Sequence, residues 1–174
     1  ISMGCACCAA PKATAANAYS AILPQQSNTL NMPASMFLTT ILQISNKTNT
    51  TLTAGQVIPF KIATPDTNND ARFDSVNNEI LINRGGYYEI CANIVFAPTT
   101  AGDSSIQMFV NEEEDPLATV TYTTSLATQK ITFPISSRII KTVTTQGNTD
   151  VSIKFITSVA GTLISANVTE KRLS

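Results

Sequence analysis

Residues Gly85–Phe96 read GGYYEICANIVF, and taken in steps of two they place Tyr88, Ile90, Ala92, Ile94 and Phe96 on one face. Successive side chains of a strand point to opposite faces of its sheet, so this alternation describes a β-strand with one dry side. The double glycine ahead of it lets the backbone turn sharply into the strand where a side chain would obstruct it. Tyr88 stands at the strand's mouth, placed to cap the core with its ring while its hydroxyl reaches the rim. Cys91 faces away from Tyr88 and reads as a small buried residue.

Outward from that stretch the text stays in the same language. Segments rich in Ile, Val, Thr, Phe and Tyr alternate with Asn, Asp, Gly and Pro punctuation, and no helical spacing intervenes. The expected strands are Met36–Ile44, with Met36, Leu38, Leu42 and Ile44 on one face, and Val57–Ile62, with Ile58, Phe60 and Ile62 on one face. Glu79–Asn83 leads into the strand quoted above. Ile106, Met108 and Val110 mark another, followed by Leu117–Thr123, Ile131–Val143, Val151–Thr157 and Leu163–Glu170. So many short strands without helices predict an all-β fold, a two-sheet antiparallel sandwich or jelly roll, over residues 36–174. Residues 1–35 are different: alanines, prolines and small polar residues with little to bury, apart from a short helical turn expected around Ala13–Leu23. They read as an extended N-terminal arm that gains order on a partner.

Composition narrows the function classes. Of 174 residues 43% are hydrophobic, but only 13% are charged, against about 25% in an average soluble protein. Ser, Thr, Asn and Gln must therefore supply the polar surface, a habit of extracellular proteins and of subunits packed in assemblies. A net charge of -1 leaves no basic footprint for nucleic acid. No stretch approaches the roughly 20 apolar residues of a membrane-spanning helix. The first residues show no export signal, and the opening at Ile1 leaves room for an upstream segment.

Reaction chemistry is missing from the sequence. Histidine is absent, so no histidine-dependent triad can form, and neither a nucleophile elbow nor a phosphate-cradling loop occurs. Cys5, Cys7 and Cys8 in GCACC could be metal ligands, but a closed zinc site takes four ligands at wider spacing, which favours cross-links between arms or free thiols. Glu112, Glu113, Glu114 and Asp115 could collect calcium, yet a contiguous acidic run without a spaced ligand pattern is a solvated turn. Asn46, Asn49 and Asn167 each begin an Asn-x-Thr acceptor sequence, which so Asn- and Thr-rich a chain produces by chance. No catalytic, cofactor-binding or metal-ligating residue is expected, and the protein reads as a non-enzyme.

Four segments in order, LTAGQVIPFKI, FDSVNNEILINRGGYYEICANIVF, SSIQMFVNEEEDPLATV and DVSIKFITSVAGTLISANVTEKRL, resemble the trimeric jelly-roll superfamily of tumour necrosis factor and complement globular heads. More narrowly they look like its bacterial and bacteriophage branch, which includes virion fibre or decoration proteins and spore-surface glycoproteins. The pattern's G-x-x-I-P-F strand is matched at Gly55–Phe60, its G-x-Y-x-I at Gly86, Tyr88 and Ile90, and its basic-apolar close in VTEKRL. Where it has Asn-Gly, this chain has Asn111 followed by Glu112. A tight hairpin wants positive φ at both positions, so a longer loop through Pro116 is expected.

The resemblance implies a homotrimer with one sheet of each copy turned to the three-fold axis. Adjacent apolar pairs fit a sheet that is apolar on both faces: Val95 with Phe96, Ile139 with Ile140, Phe155 with Ile156, and Leu163 with Ile164. It further implies a structural virion protein of a bacteriophage, tied through its arm to the capsid or another virion structural protein. The loops PDTNNDA, APTTAGD and NEEEDP are then candidates to meet host surface carbohydrate. The alternative is a bacterial cell-surface or spore-surface adhesin or coat subunit with the same fold.

Overall fold

Strand Gly86–Pro98 runs through the middle of the structure with Tyr88, Ile90, Ala92, Ile94 and Phe96 all buried on one side, as its alternation requires. The computed structural model describes residues 41–64, 66, 68–142 and 149–174. The arm, Cys5, Cys7, Cys8, Met36 to Leu38 and Val143 lie outside the described residues. Among the described residues twelve strands follow in order: β1 (Ile41–Asn46), β2 (Thr50–Leu52), β3 (Ile62–Thr64), β4 (Ala71–Asp74), β5 (Glu79–Ile82), β6 (Gly86–Pro98), β7 (Gly102–Val110), β8 (Glu113–Glu114), β9 (Val120–Thr124), β10 (Ile131–Lys141), β11 (Val151–Thr157) and β12 (Gly161–Arg172).

They form two antiparallel sheets. In the first the order is β10-β6-β12-β1-β3, with β2 also on β12; in the second it is β4-β5-β11-β7-β8, with β9 on β7. The inner faces meet in one core. Leu42, Ile44, Phe133, Ile135, Leu163, Ala166 and Val168 join the β6 residues from the first sheet, against Ile80, Ile82, Ile106, Met108, Ile153 and Phe155 from the second. Sheets stacked this way lie about 10 Å apart, which is the depth these branched and aromatic side chains fill. The all-β, two-layer architecture expected from the alternation is the one observed.

Several strands differ from the sequence reading, each for a physical reason. Val57–Ile62 is not one strand: Val57 bridges Ile156, the Ile58 amide donates to the Phe155 carbonyl (2.8 Å), and the chain then crosses to the first sheet, where β3 begins. Ile58 and Phe60 are buried on the crossing as anticipated, but Ile62 emerges 59% exposed. Leu117 is not in a strand either. Asp115 caps a 3-10 turn over Pro116–Ala118 by accepting from the Leu117 amide, and β9 starts after it. β2 and β4 went unrecognised because Thr-rich and Asp-rich segments carry too few apolar residues to show a period. Cys91 is exposed, not buried: the face opposite Tyr88 is the outer face of the sheet.

The hairpin after β7 is tight in spite of its missing glycine. Val110 pairs with Glu113, so only Asn111 and Glu112 turn the chain, with φ of 52° and 67°. Asn tolerates this left-handed region; a glutamate there costs roughly 1–2 kcal/mol. Two contacts hold the turn in place. The Asn111 carboxamide oxygen accepts from the Ser152 amide (3.0 Å), and Glu112 forms an ion pair with Lys154. The acidic run is thereby a structural hairpin, since Glu114 also accepts from the Thr119 hydroxyl. Glu112→Gly relieves the backbone and forfeits only an exposed ion pair of about 0–1 kcal/mol. It is expected to stabilise the domain by about 1 kcal/mol in urea unfolding, and a loss of stability would show the ion pair to outweigh the strain.

Candidate interaction surface

Because β6 buries its even-numbered residues, its odd-numbered ones build the outer face of the first sheet, and the register extends that face in rows. One row runs Thr132, Val95, Ser165; the next Pro134, Asn93, Asn167, Ser45, Ile62; the next Ser136, Cys91, Thr169, Gln43, Thr64. None of these residues is charged. At strand spacings of about 4.8 Å the uncharged area measures roughly 20 Å by 20 Å. The outer face of the second sheet is the opposite case, carrying Arg72, Asp74, Glu79, Asp103, Glu114 and Lys154.

Towards the end where β1 begins and β12 stops, the rows change character. A row of alternating charge comes first, Arg138, Glu89, Lys171, with Ile41 beside Lys171. Beyond it lies an apolar row: Ile140 faces Tyr87 across β10 and β6, and Leu173 follows, its amide donating to the Tyr87 carbonyl at 2.7 Å. Ile140 is 61% exposed, Tyr87 55% and Leu173 43%. Large apolar side chains grouped in this way on a sheet face are what proteins bury against a partner.

The apolar pairs read from the sequence divide between the sheets. Phe96, Ile139, Leu163 and Phe155 are the buried members. Val95 and Ile140 lie on the outer face of the first sheet, Ile164 sits at a bulge in β12, and Ile156 falls on the second sheet. The expected apolar face is thus amide- and hydroxyl-rich at its centre, with its apolar residues gathered at one end. The alternation that puts Tyr88 inside leaves Tyr87 outside, but it does not reveal that Ile140 and Leu173 stand exposed beside it.

That same end conceals a charged cluster beneath the sheet. Asp66 accepts from the amides of Asn68, Asp70 and Ala71, tying the turn ahead of β4. Asp70 is wholly buried, with the Arg84 guanidinium 3.2 Å from one oxygen and that of Arg172 3.6 Å from the other. Tyr88 is also buried, and its hydroxyl donates to the Arg84 carbonyl at 2.7 Å, binding the turn before β6 to the core. Burial, reinforced by Asp70, pushes the phenol up to about 12. Glu170 lies on the inner face of β12 between Leu42 and Ile90, fully buried; the Leu42 amide approaches its carboxyl, but neither oxygen has a well-formed hydrogen bond. Burial first, then the negative charge of Asp66 and Asp70, pushes its carboxyl up to about 8. Its signal in the sequence was a carboxylate in phase with the core residues Ala166 and Val168.

The loops proposed to reach outward do not converge. Within PDTNNDA, Asp66 and Asp70 are buried structural groups, and NEEEDP is the hairpin already described. Both open on the end that holds the start of β1. APTTAGD opens at the other end, where the Thr128 amide donates to the Pro98 carbonyl and the Thr99 amide to that of Ala160. Asn46 is wholly buried and donates to the Pro59 carbonyl, which removes it as a glycan acceptor. Among the described residues no group of three or more His, Cys, Asp or Glu side chains is placed to hold a metal ion. No described helix is long and apolar enough to cross a membrane.

Replacing Tyr87 and Ile140 together with glutamate removes two exposed apolar side chains worth about 1.5–3 kcal/mol each when buried against a partner. The double variant is expected to retain its β-sheet circular dichroism and to associate at least about 100-fold more weakly in sedimentation. Unchanged association would remove this row from any interface.

No protein-family model matches the chain, and no curated protein is similar to it in sequence. Solved structures are similar in fold. The globular domain of zebrafish complement 1qA protein covers 78% of this chain and 98% of its own length with a TM-score of 0.51 at 10% identity. Murine APRIL covers 78% and 100% with a TM-score of 0.60 at 7% identity. PRD1 vertex protein P5 covers 79% and 99% with a TM-score of 0.54 at 17% identity. The described domain therefore has the two-sheet jelly-roll fold of the tumour necrosis factor and complement globular domains, a fold that also serves in a virion vertex.

Proposed function

We propose that the protein is a non-enzymatic structural protein of a bacteriophage virion, a homotrimeric jelly-roll head held to the capsid or another structural subunit by residues 1–35. The observation that carries this reading is the contrast between the sheets: one outer face has an uncharged centre and, beyond a single row of alternating charge, an exposed apolar row, whereas the other carries charge throughout. A flat patch of roughly 400 Å² is about half of what each partner gives to a standard interface. Three copies that each offer this face to a neighbour's flank supply the remainder. Fold likeness to a vertex protein supports the virion setting, and three arms acting together would dock with raised effective concentration.

β1 begins at the end of the sandwich that holds Gly86, Lys141 and Arg172. An arm continuing from there would put that end on the particle and direct the opposite end outward. The outward contact then falls to APTTAGD and the exposed residues Ser125–Lys130, which carry an exposed Leu126 and a Thr128 held at a φ of 59°. A β-branched residue is strained there, and strain of this kind collects at functional loops. Host surface carbohydrate suits these hydroxyl-bearing loops, whose only charges are Asp103 and Lys130.

Quantitative mass spectrometry of purified virions tests the proposal. The chain is expected at a stoichiometric copy number divisible by three, and removal of residues 1–35 is expected to abolish its incorporation. Its absence from virions, or its recovery on a cell or spore surface, would overturn the virion reading.

A further inference from the structure

The last residues of β12 and those after it lie over the charged cluster like a strap. The Tyr87 amide donates to the Ser174 carbonyl (3.1 Å), the Leu173 amide to the Tyr87 carbonyl (2.7 Å), and Arg172 to the Gly85 carbonyl (3.0 Å). The strap presses on bare backbone: a Cβ at Gly86, whose φ is 149°, would stand 2.3 Å from the Ser174 carbonyl oxygen and 2.9 Å from the Arg172 Nε. Beneath it is Glu170, and the groups around it can be enumerated. The turn ahead of β4 brings Asp66 and Asp70, the turn after β5 brings Arg84, β6 brings Tyr88, and β12 itself brings Arg172. β10 ends in the buried Lys141, whose ammonium is bound to the Thr149 carbonyl, and β1 brings Leu42, whose backbone amide approaches the Glu170 carboxyl. The Arg84 side chain is 59% exposed, so Arg172 is the more enclosed of the two guanidinium groups.

We propose that Glu170 is a proton-operated latch: protonated, it lets Arg172–Ser174 close over this end and hold Leu173 in the apolar row, and ionised, it releases the strap and weakens association between copies. The inference rests on the reading that copies meet through this face. An ionised Glu170 would be a third carboxylate in a closed space, with the Leu42 amide too poorly placed to give either oxygen a well-formed hydrogen bond. It must either be hydrated from outside or draw Arg172 away from Asp70, and both displace the strap. Leu173 moves with it, because its hydrogen bond to Tyr87 is part of the strap.

The direction of the pH effect follows from where the proton binds more tightly. Closed, the Glu170 carboxyl titrates near 8; released, it returns towards its ordinary 4.5. The closed form therefore holds its full advantage below about pH 4.5, loses it by up to about tenfold per pH unit as pH rises, and levels off past about pH 8.

Hydrogen–deuterium exchange on the full chain between pH 5 and 9, corrected for intrinsic exchange, reads the Tyr87 and Leu173 amides directly. Protection is expected to fall along that profile in the native chain and to stay flat in Glu170→Gln, with sedimentation following the same two curves. Flat protection in the native chain, or an equal slope in Glu170→Gln, would overturn the latch. Association that ignores pH while the strap opens would overturn the link through Leu173. A chain that opens on schedule but never associates would uphold the latch and sink the interface reading instead. Should Glu170→Gln fail to fold, a carboxyl-carbon NMR titration of native Glu170 decides: a midpoint near 8 supports the latch, and one near 4.5 refutes it.

Discussion

The two-residue alternation of β6 constrains everything else in the domain. It pairs with β10 from Gly86 to Phe96 and with β12 from Tyr88 to Pro98, so both neighbours inherit its division into a dry face and an outer face. A slip of one residue would turn Tyr88, Ile90, Ala92, Ile94 and Phe96 outward together, at about 1.5–3 kcal/mol for each large side chain exposed. That cost fixes the register, and the register fixes which residues stand in the outer rows. The uncharged centre and the apolar row at Ile140, Tyr87 and Leu173 are consequences of a core decision made in β6.

Much of this was legible in the sequence, and the exceptions share a cause. Long alternating strands such as β6, β10, β11 and β12 announce themselves because a half-buried strand must repeat every second residue. Val57–Ile62 did not behave as a strand, although Ile58 and Phe60 are buried, because a crossing segment can bury apolar residues without pairing along its length. The turn at Asn111 and Glu112 closed without glycine because Lys154 and Ser152, distant in sequence, hold it. Cys91 was misplaced for the related reason that its neighbours show which face it occupies, but not whether anything covers that face.

The surface was legible only in outline. Adjacent apolar pairs pointed to a second hydrophobic face, yet they could not assign Ile156 to the other sheet, nor could they reveal that Asn93, Asn167, Cys91 and Thr169 fill the middle of the face. An uncharged polar centre with an apolar rim at one end suits close contact between copies: charge is confined to the single row Arg138, Glu89 and Lys171, and many groups can hydrogen-bond across an interface. The buried carboxylates belong to the same end. A glutamate in core phase within β12 conflicts with hydrophobic burial, and such conflicts are retained where structure or function uses them.

Cys91 reports on the central claim most directly, because it stands in the middle of the outer rows. Peptide-resolved labelling of that thiol with a water-soluble reagent, at fixed pH over a wide range of protein concentration, measures whether copies of the chain cover the face. Strong protection at high concentration, lost on dilution or in the Tyr87 and Ile140 double glutamate variant, is the expected result. Full and concentration-independent reactivity of Cys91 in the native chain would contradict it.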